Sequence, residues 1–396
     1  MAMSKQQQVE HISHRTPDQR DALIDALRAV ALAGVILMNM MTFSGLAYLT
    51  PGLRADLLGA ADNVAWDLLR VLVDGKALAA FCFMFGVSFS LVLRRMDAAS
   101  NMPLARLFRR LSTLFLIGVF NAVFLFWADI LMTYALLGML LPIAARLPLR
   151  LLTVIASLLI LAGPLWLALS GLGAVEPVPR GHVERIEGYA SAMPGDVVRQ
   201  NVEMLQSASH SADNTLIFRV FMLSGLFLLG LATGRSGILG KLVQQRRRLL
   251  RVGLLLTLCG LIGKLTLRFA VDPVGVLALL NLHLPVTSLG YLMVIATVLS
   301  SPALAWLVER LAPLGRMTLS GYLLSAVAGQ LIFYGWGFGL IGKLGTLAVI
   351  IVVAVVYLLL MVFAHWWFQR YQIGPWEWLW HSMSRLRVHP LRPGGG

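Results

Sequence analysis

The feature that most constrains this chain is a succession of apolar runs, most of them about 20 residues long. That is the length an α-helix needs to cross roughly 30 Å of hydrocarbon. Of the 396 residues, 58% are hydrophobic and 13% charged, with a mean hydropathy of +0.78. Soluble domains carry about 25% charged residues, so there are too few charges here to coat a soluble globule. The expected class is an all-α polytopic membrane protein. Its ten spans lie near 23–47, 77–95, 108–126, 129–146, 150–172, 215–234, 249–270, 276–300, 315–335 and 344–366. The stretch 63–73 has apolar residues at helical spacing but is too short to cross, and reads as an interfacial or re-entrant helix.

A formal charge of +14 would point to nucleic acid in a soluble protein. Here the basic residues gather in short loops between the apolar runs, as the positive-inside rule describes, so nucleic acid is not an expected partner. The strongest clusters are Arg94, Arg95, Arg106, Arg109 and Arg110, then Arg246, Arg247, Arg248 and Arg251. They place both termini in the cytoplasm. The expected organisation is a disordered tail 1–20, a five-helix bundle 21–173, an external loop 174–213, a second five-helix bundle 214–388 and a tail 389–396. Rich in Pro, Gly and Ser, the loop reads as mostly irregular, with one amphipathic turn near 197–205. No repeat relates the two halves. Cys82 and Cys259 both fall in apolar runs and read as small buried hydrophobes.

Polar residues inside spans are the informative ones, since an ionisable group at the bilayer centre costs roughly 2.5–3.5 kcal/mol. Asp25 and Arg28 share a face of the first span, and Asn39 lies eleven residues beyond Arg28. At 100° per residue that returns to within about 20° of the same stripe, about 16 Å further along. Arg110 and Asn121 repeat the spacing in the third span. Two readings stay open: snorkelling anchors plus helix-joining amides, or a polar track that is basic at the inner mouth and neutral deeper in. Asp129, in a tight turn after Trp127, reads as a helix cap, as a carboxylate base at an external mouth, or as both. His283, beside Asn281, is the best-placed imidazole for proton transfer, although a lone His near an interface is more often structural. His365 and His381 lie among tryptophans at the inner end of the last span, where interfacial packing accounts for them. No metal-binding, serine-hydrolase or P-loop motif is present, so no metal site is expected.

Several stretches resemble a known family. They are IDALRAVALAGVILMNM at 24–40, DGKALAAFCFMFGVSFSLVLRR at 74–95, RRLSTLFLIGVFNAVFLFWADILMTYALLGMLL at 109–141, PLGRMTLSGYLLSA at 313–326 and GPWEWLWH at 374–381. Together they resemble the YeiB-type bacterial membrane proteins, which carry domain of unknown function 418. That family is distantly similar to transmembrane acyltransferases such as heparan-alpha-glucosaminide N-acetyltransferase. The chain departs from the family pattern at Ala29, Asn121, Ala128, Ser320-Gly321, Ser325-Ala326 and His381, where the family usually has Gly, His, Gly, Thr-Asn, Gln-Ser and Arg. An amide at Asn121 accepts no proton near neutral pH, so a base would have to be His283 or Asp129.

The resemblance implies an acyl group moving from cytoplasmic acyl-coenzyme A to an external hydroxyl or amine. Arg28, Arg94, Arg95, Arg109 and Arg110 would meet the donor's phosphates. Asn39 and Asn121 would orient the thioester, with Arg316 and Tyr322 closing the site. The partners would be the bilayer, acyl-coenzyme A and a small-molecule or glycan acceptor, with a homodimer left open, in the bacterial inner membrane. A transporter, an export or immunity factor, and a non-catalytic membrane scaffold remain the alternatives.

Overall fold

The computed structural model describes residues 17–98, 104–170, 182–210, 214–238, 245–269, 275–388 and 390–391. Among them every regular element is helical and no strand occurs. Of the expected tails 1–20 and 389–396 and the expected loop 174–213, residues 1–16, 389, 392–396, 174–181 and 211–213 lie outside the described residues, and residues 17–20 open a helix rather than continue a tail.

The helices are α1 (Pro17–Phe43), α2 (Pro51–Leu57), α3 (Ala60–Leu72), α4 (Lys76–Ala98) and α5 (Leu104–Phe120), the last continued by a π-helical turn, Asn121–Leu125. Next come α6 (Leu131–Gly138), α7 (Leu141–Arg146), α8 (Leu149–Leu169), α9 (His182–Ala190), α10 (Pro194–His210), α11 (Asn214–Ser236) and α12 (Arg246–Phe269). A 3₁₀ stretch, Gly275–Leu282, runs into α13 (His283–Leu299). The rest are α14 (Ala305–Arg316), α15 (Thr318–Phe333), α16 (Thr346–Phe368) and α17 (Pro375–Arg385).

Seven helical stretches among the described residues are long and apolar enough to cross a membrane, starting with Ala22–Phe43 and ending with Thr346–Phe368. The shorter Thr318–Phe333 is also apolar. Outward faces are oily: Leu158 on α8, Leu255 on α12 and Val362 on α16 are each at least 60% exposed. Water would penalise such faces, whereas lipid tails do not. The chain is a multi-pass membrane protein.

With lipid outside, helices gain little from burying apolar area and associate through close packing instead. A Cβ at Gly86 of α4 would overlap the Phe227 carbonyl of α11, and one at Gly230 would overlap the Phe83 carbonyl in return. α1 lies at the centre, packed against α4, α14, α15 and α16. Its Asp25 backbone presses on Gly315 of α14, Arg28 bonds Thr318 at the start of α15, and Phe43 presses on Gly329 near the end of α15. α1 and α15 therefore run side by side in the same direction.

Three sequence expectations need correction. The expected span at 129–146 is two short helices broken at Met139–Leu140. The span expected at 276–300 is present as Ala278–Leu299, with its first turns 3₁₀ and α-helix from His283. The described part of the segment expected to be an external loop is not irregular: α9 and α10 occupy most of it. Val197, Asn201 and Met204 are buried at spacings of four and three, so α10 is amphipathic and rests on the bundle, with Pro194 opening its first turn. Cys82 is buried, but Cys259 is exposed on the outward face of α12. The interfacial helix expected at 63–73 is α3, with Trp66 buried and Val64 and Leu68 exposed.

Candidate functional site

The polar groups of the bundle meet where α5 ends. After Phe120 the helix widens into the π-turn Asn121–Leu125, then reverses through Trp127 and Asp129 into α6. Widening and reversal leave the last carbonyls without helical donors. Side chains from other elements supply them. The Gln330 amide of α15 donates to the carbonyls of Phe124 (2.8 Å) and Leu125 (2.6 Å). The Asn201 amide of α10 donates to Val123 O at 3.1 Å, and its own carbonyl oxygen accepts from the Tyr189 hydroxyl at 2.9 Å. Trp127 Nε1 donates to the Tyr48 hydroxyl at 2.9 Å. Burial pushes the Tyr48 phenol up to about 12, so it stays protonated as an acceptor and donor. The turn is clamped from three directions.

Inside the clamp sits Asp129. Its Oδ2 accepts from Met132 N at 2.7 Å, capping the start of α6, and its Oδ1 accepts from Asn121 Nδ2 at 2.7 Å. Gly118 lets α5 approach this turn, because a Cβ there would meet Met132 N and the Asp129 carboxylate. Around the pair lie groups that are buried yet unsatisfied. Asn121 is fully buried and its Oδ1 has no hydrogen-bond partner, and the hydroxyls of Tyr134 and Tyr322, each on a residue 1% exposed, have none either. Tyr322 projects toward Asn39, Asn121, Asp129 and the Ile130 backbone, and Tyr134 lies near Tyr322, Asp129 and Cys82. Phe81 and Phe85 stack on the Tyr134 ring and set its direction. Buried polar atoms are nearly always paired; the Tyr322 hydroxyl has Asn39, Asn121 and the Ile130 backbone close by but makes no well-formed hydrogen bond to them, and three such groups beside one carboxylate make this the candidate site.

The expected site residues are partly assembled here. Asn39, Asn121, Asp129 and Tyr322 come together. Arg28 lies on the same side of α1, one helical turn along α15 from Tyr322. Its guanidinium bonds Asp25 at 3.0 Å and the Thr318 hydroxyl at 3.0 Å. Arg110 lies 4.2 Å over the Trp380 ring, whose Nε1 donates to the Arg110 carbonyl at 2.7 Å. Arg109 is exposed, and exposed Arg316 stacks over Phe368 at 4.4 Å, on the outside of the bundle rather than in the cluster. The side chains of Arg94 and Arg95 lie outside the described residues. His283 is separate from the cluster, buried beside Lys76 and Lys264. Among the described residues no three His, Cys, Asp or Glu side chains are grouped to hold a metal ion.

Sequence reasoning missed Tyr134, Gln330 and Glu377. Tyr134 and Gln330 are polar residues within otherwise apolar helices, and that placement is the signal that could have found them. Glu377 lies in the closing GPWEWLW stretch, and its carboxylate accepts from Leu319 N (2.8 Å), Ser320 N (3.1 Å) and the Ser320 hydroxyl. It caps α15 from a distant part of the chain, and Ser320 Oγ in turn accepts from Trp376 N. Trp380 holds Arg110 from the next turn of α17. That closing stretch is a fastening rather than part of the polar cluster.

Residues 233–387 match the family described as "Protein of unknown function (DUF418)". The chain is 27% identical to the uncharacterized protein YxaH of Bacillus subtilis (strain 168), over 94% of this chain and 96% of that protein. It is 28% identical to the uncharacterized protein YeiB of Escherichia coli (strain K12), over 94% of this chain and 98% of that protein. It is also 24% identical to an uncharacterized 39.9 kDa protein of Bacillus acidopullulyticus, over 94% and 96% of the two chains. No solved structure matches.

Proposed function

We propose, from the premise that this chain is a YeiB-type membrane protein whose residues 233–387 carry the DUF418 domain, that it transfers an acyl group within the membrane. The donor is cytoplasmic acyl-coenzyme A, and the acceptor is a hydroxyl or amine of a small molecule or glycan on the other side. One observation carries the reading. Asp129 is surrounded by the unpaired oxygen of Asn121 and the unpaired hydroxyls of Tyr134 and Tyr322.

Acyl transfer needs a base for the acceptor proton and donors for the oxygen that becomes negative. Asp129 is the base here, held in place by Asn121 and the Met132 amide. The acceptor oxygen or nitrogen attacks the thioester carbonyl and its proton passes to Asp129. As the C–S bond breaks, the departing sulfur leaves with the electron pair and takes up that proton. Tyr322 and Tyr134 are hydrogen-bond donors already stripped of water and aimed at the place where charge develops. Asn39 lines the approach from Arg28, and exposed Arg109, with Arg94, Arg95 and Arg110, offers the donor's phosphates a basic mouth. Arg316 contributes to closing that mouth from outside. His283 takes no part in this step.

In this reading the chain crosses the bacterial inner membrane ten times with both ends in the cytoplasm, as bundles 21–173 and 214–388. The helix breaks at Met139 and at Leu282–His283 favour a second reading as a transporter, since interrupted helices often line permeation paths. One measurement separates the two. Purified protein is mixed with radiolabelled acetyl-coenzyme A, and saturable binding is read alongside release of free coenzyme A with candidate acceptors. Binding that weakens in Arg110→Ala, with release lost in Asp129→Asn, supports transfer. No binding across acyl lengths, with pH-gradient-driven flux in liposomes, turns the assignment to transport.

A further inference from the structure

A second buried polar junction lies where α3, α4, α12 and α13 meet, and the transfer step makes no use of it. Lys76 opens α4 and is 1% exposed. Its Nζ carries three donors, yet among the described residues its one hydrogen bond goes to the Asp74 carbonyl, at 3.3 Å. The Asp74 carboxylate is engaged by Arg70 at 3.1 Å and forms no ion pair with Lys76 among the described residues. His283, 5% exposed, opens α13 with its Nδ1 unpartnered, within electrostatic reach of both Lys76 and Lys264. The junction is rigid. Ser288 Oγ donates to the Lys76 carbonyl at 3.0 Å, and Gly75, at φ +72°, turns the chain tightly against Leu284.

An ammonium inside a bundle costs several kcal/mol unless a counter-charge and hydrogen bonds compensate it. Lys264 and Arg70 bring charges of the same sign, and the nearby Asp74 carboxylate, which offsets them in part, is already engaged by Arg70, so room for a further anion remains. With its Nδ1 protonated, His283 is a neutral donor beside them. Lys264 is half-buried on a helix whose Leu258, Ile262 and Leu265 face outward, so the junction borders the lipid.

We propose that Lys76, Lys264 and His283 bind one oxyanion group, a phosphate or a carboxylate, carried by a lipid headgroup or by a small soluble molecule. The site is independent of the acyl-transfer cluster.

The test uses the full chain in a neutral detergent at constant ionic strength. Its melting temperature is titrated with sodium phosphate, sodium acetate and a short-chain phosphatidylglycerol. A saturable rise with at least one probe is expected, with the half-saturating concentration raised about tenfold by Lys76→Met and by Lys264→Gln. A rise with phosphate or acetate alone identifies a soluble ligand, and a rise with the lipid alone identifies a headgroup. The proposal is overturned if no probe gives a saturable rise. It is equally overturned if the half-saturating concentration is unchanged in Lys76→Met or, should that variant not fold, in Lys264→Gln.

Discussion

Two carboxylates inside this protein, Glu377 and Asp129, look alike on paper and do opposite work. Glu377 reaches across from α17 to the start of α15. Its two oxygens take up two backbone amides and a hydroxyl, and no side-chain atom of Ser320 is left unpaired. Asp129 also caps a helix, yet next to it an amide oxygen and two tyrosine hydroxyls stay unpaired. A closed network holds elements together, whereas an open one keeps hydrogen-bonding capacity in reserve. In a dry interior that reserve is costly, so its concentration around one residue separates a candidate site from a fastening.

The contrast can be broken most decisively at Glu377. Glu377→Ala strands the Leu319 and Ser320 amides in the interior and should cost about 3–5 kcal/mol. It would be read as a large fall in melting temperature in detergent, and an unchanged value would remove Glu377 as the fastening. Asp129→Asn keeps a capping oxygen, so stability should shift by about 1 kcal/mol or less. Turnover should nonetheless fall about 100-fold or more, measured as coenzyme A release. Full turnover in that variant would end its role as base.

Removing an orphan is the finer test. Tyr322→Phe deletes a hydroxyl with no partner, so the melting temperature should hold or rise slightly, while turnover drops about tenfold. A clear loss of stability would mean the hydroxyl is bonded after all, and the cluster would join the fastenings. The smallest effect is in pH. Burial outweighs the hydrogen bonds at Glu377 and raises its carboxyl above the ordinary 4.5. Its proton is then held more tightly in the folded state, so the stability it contributes is complete below 4.5 and is lost as pH rises through the folded value. The melting temperature should decline gently with rising pH in that window, and Glu377→Gln should flatten the slope.

Much of this was legible in the residues, unevenly so. The stripe from Arg28 to Asn39 follows from helical geometry, and Thr318 and Tyr322 on α15 continue it. Asp129 as a cap could be read from the tight turn alone. The role of Glu377 could not, because its partners are 57 and 58 positions away. That Arg316 stacks on Phe368, apart from the cluster around Asp129, could not be read from its motif. His283 and Asp129 looked like alternatives for one task, and their different neighbours place them in different junctions.

The sequence by itself determined the solvent, the helical class and the approximate position of most spans. Those follow from run length and charge placement, and both are local properties of the chain. Only the tertiary structure decided which polar groups are satisfied and which are left waiting, because a hydrogen bond depends on a partner brought near by folding. Asn121, Tyr134 and Tyr322 are ordinary residues in three separate apolar stretches. They become a candidate site only because α5 widens, the chain reverses at Asp129, and α15 runs alongside α1.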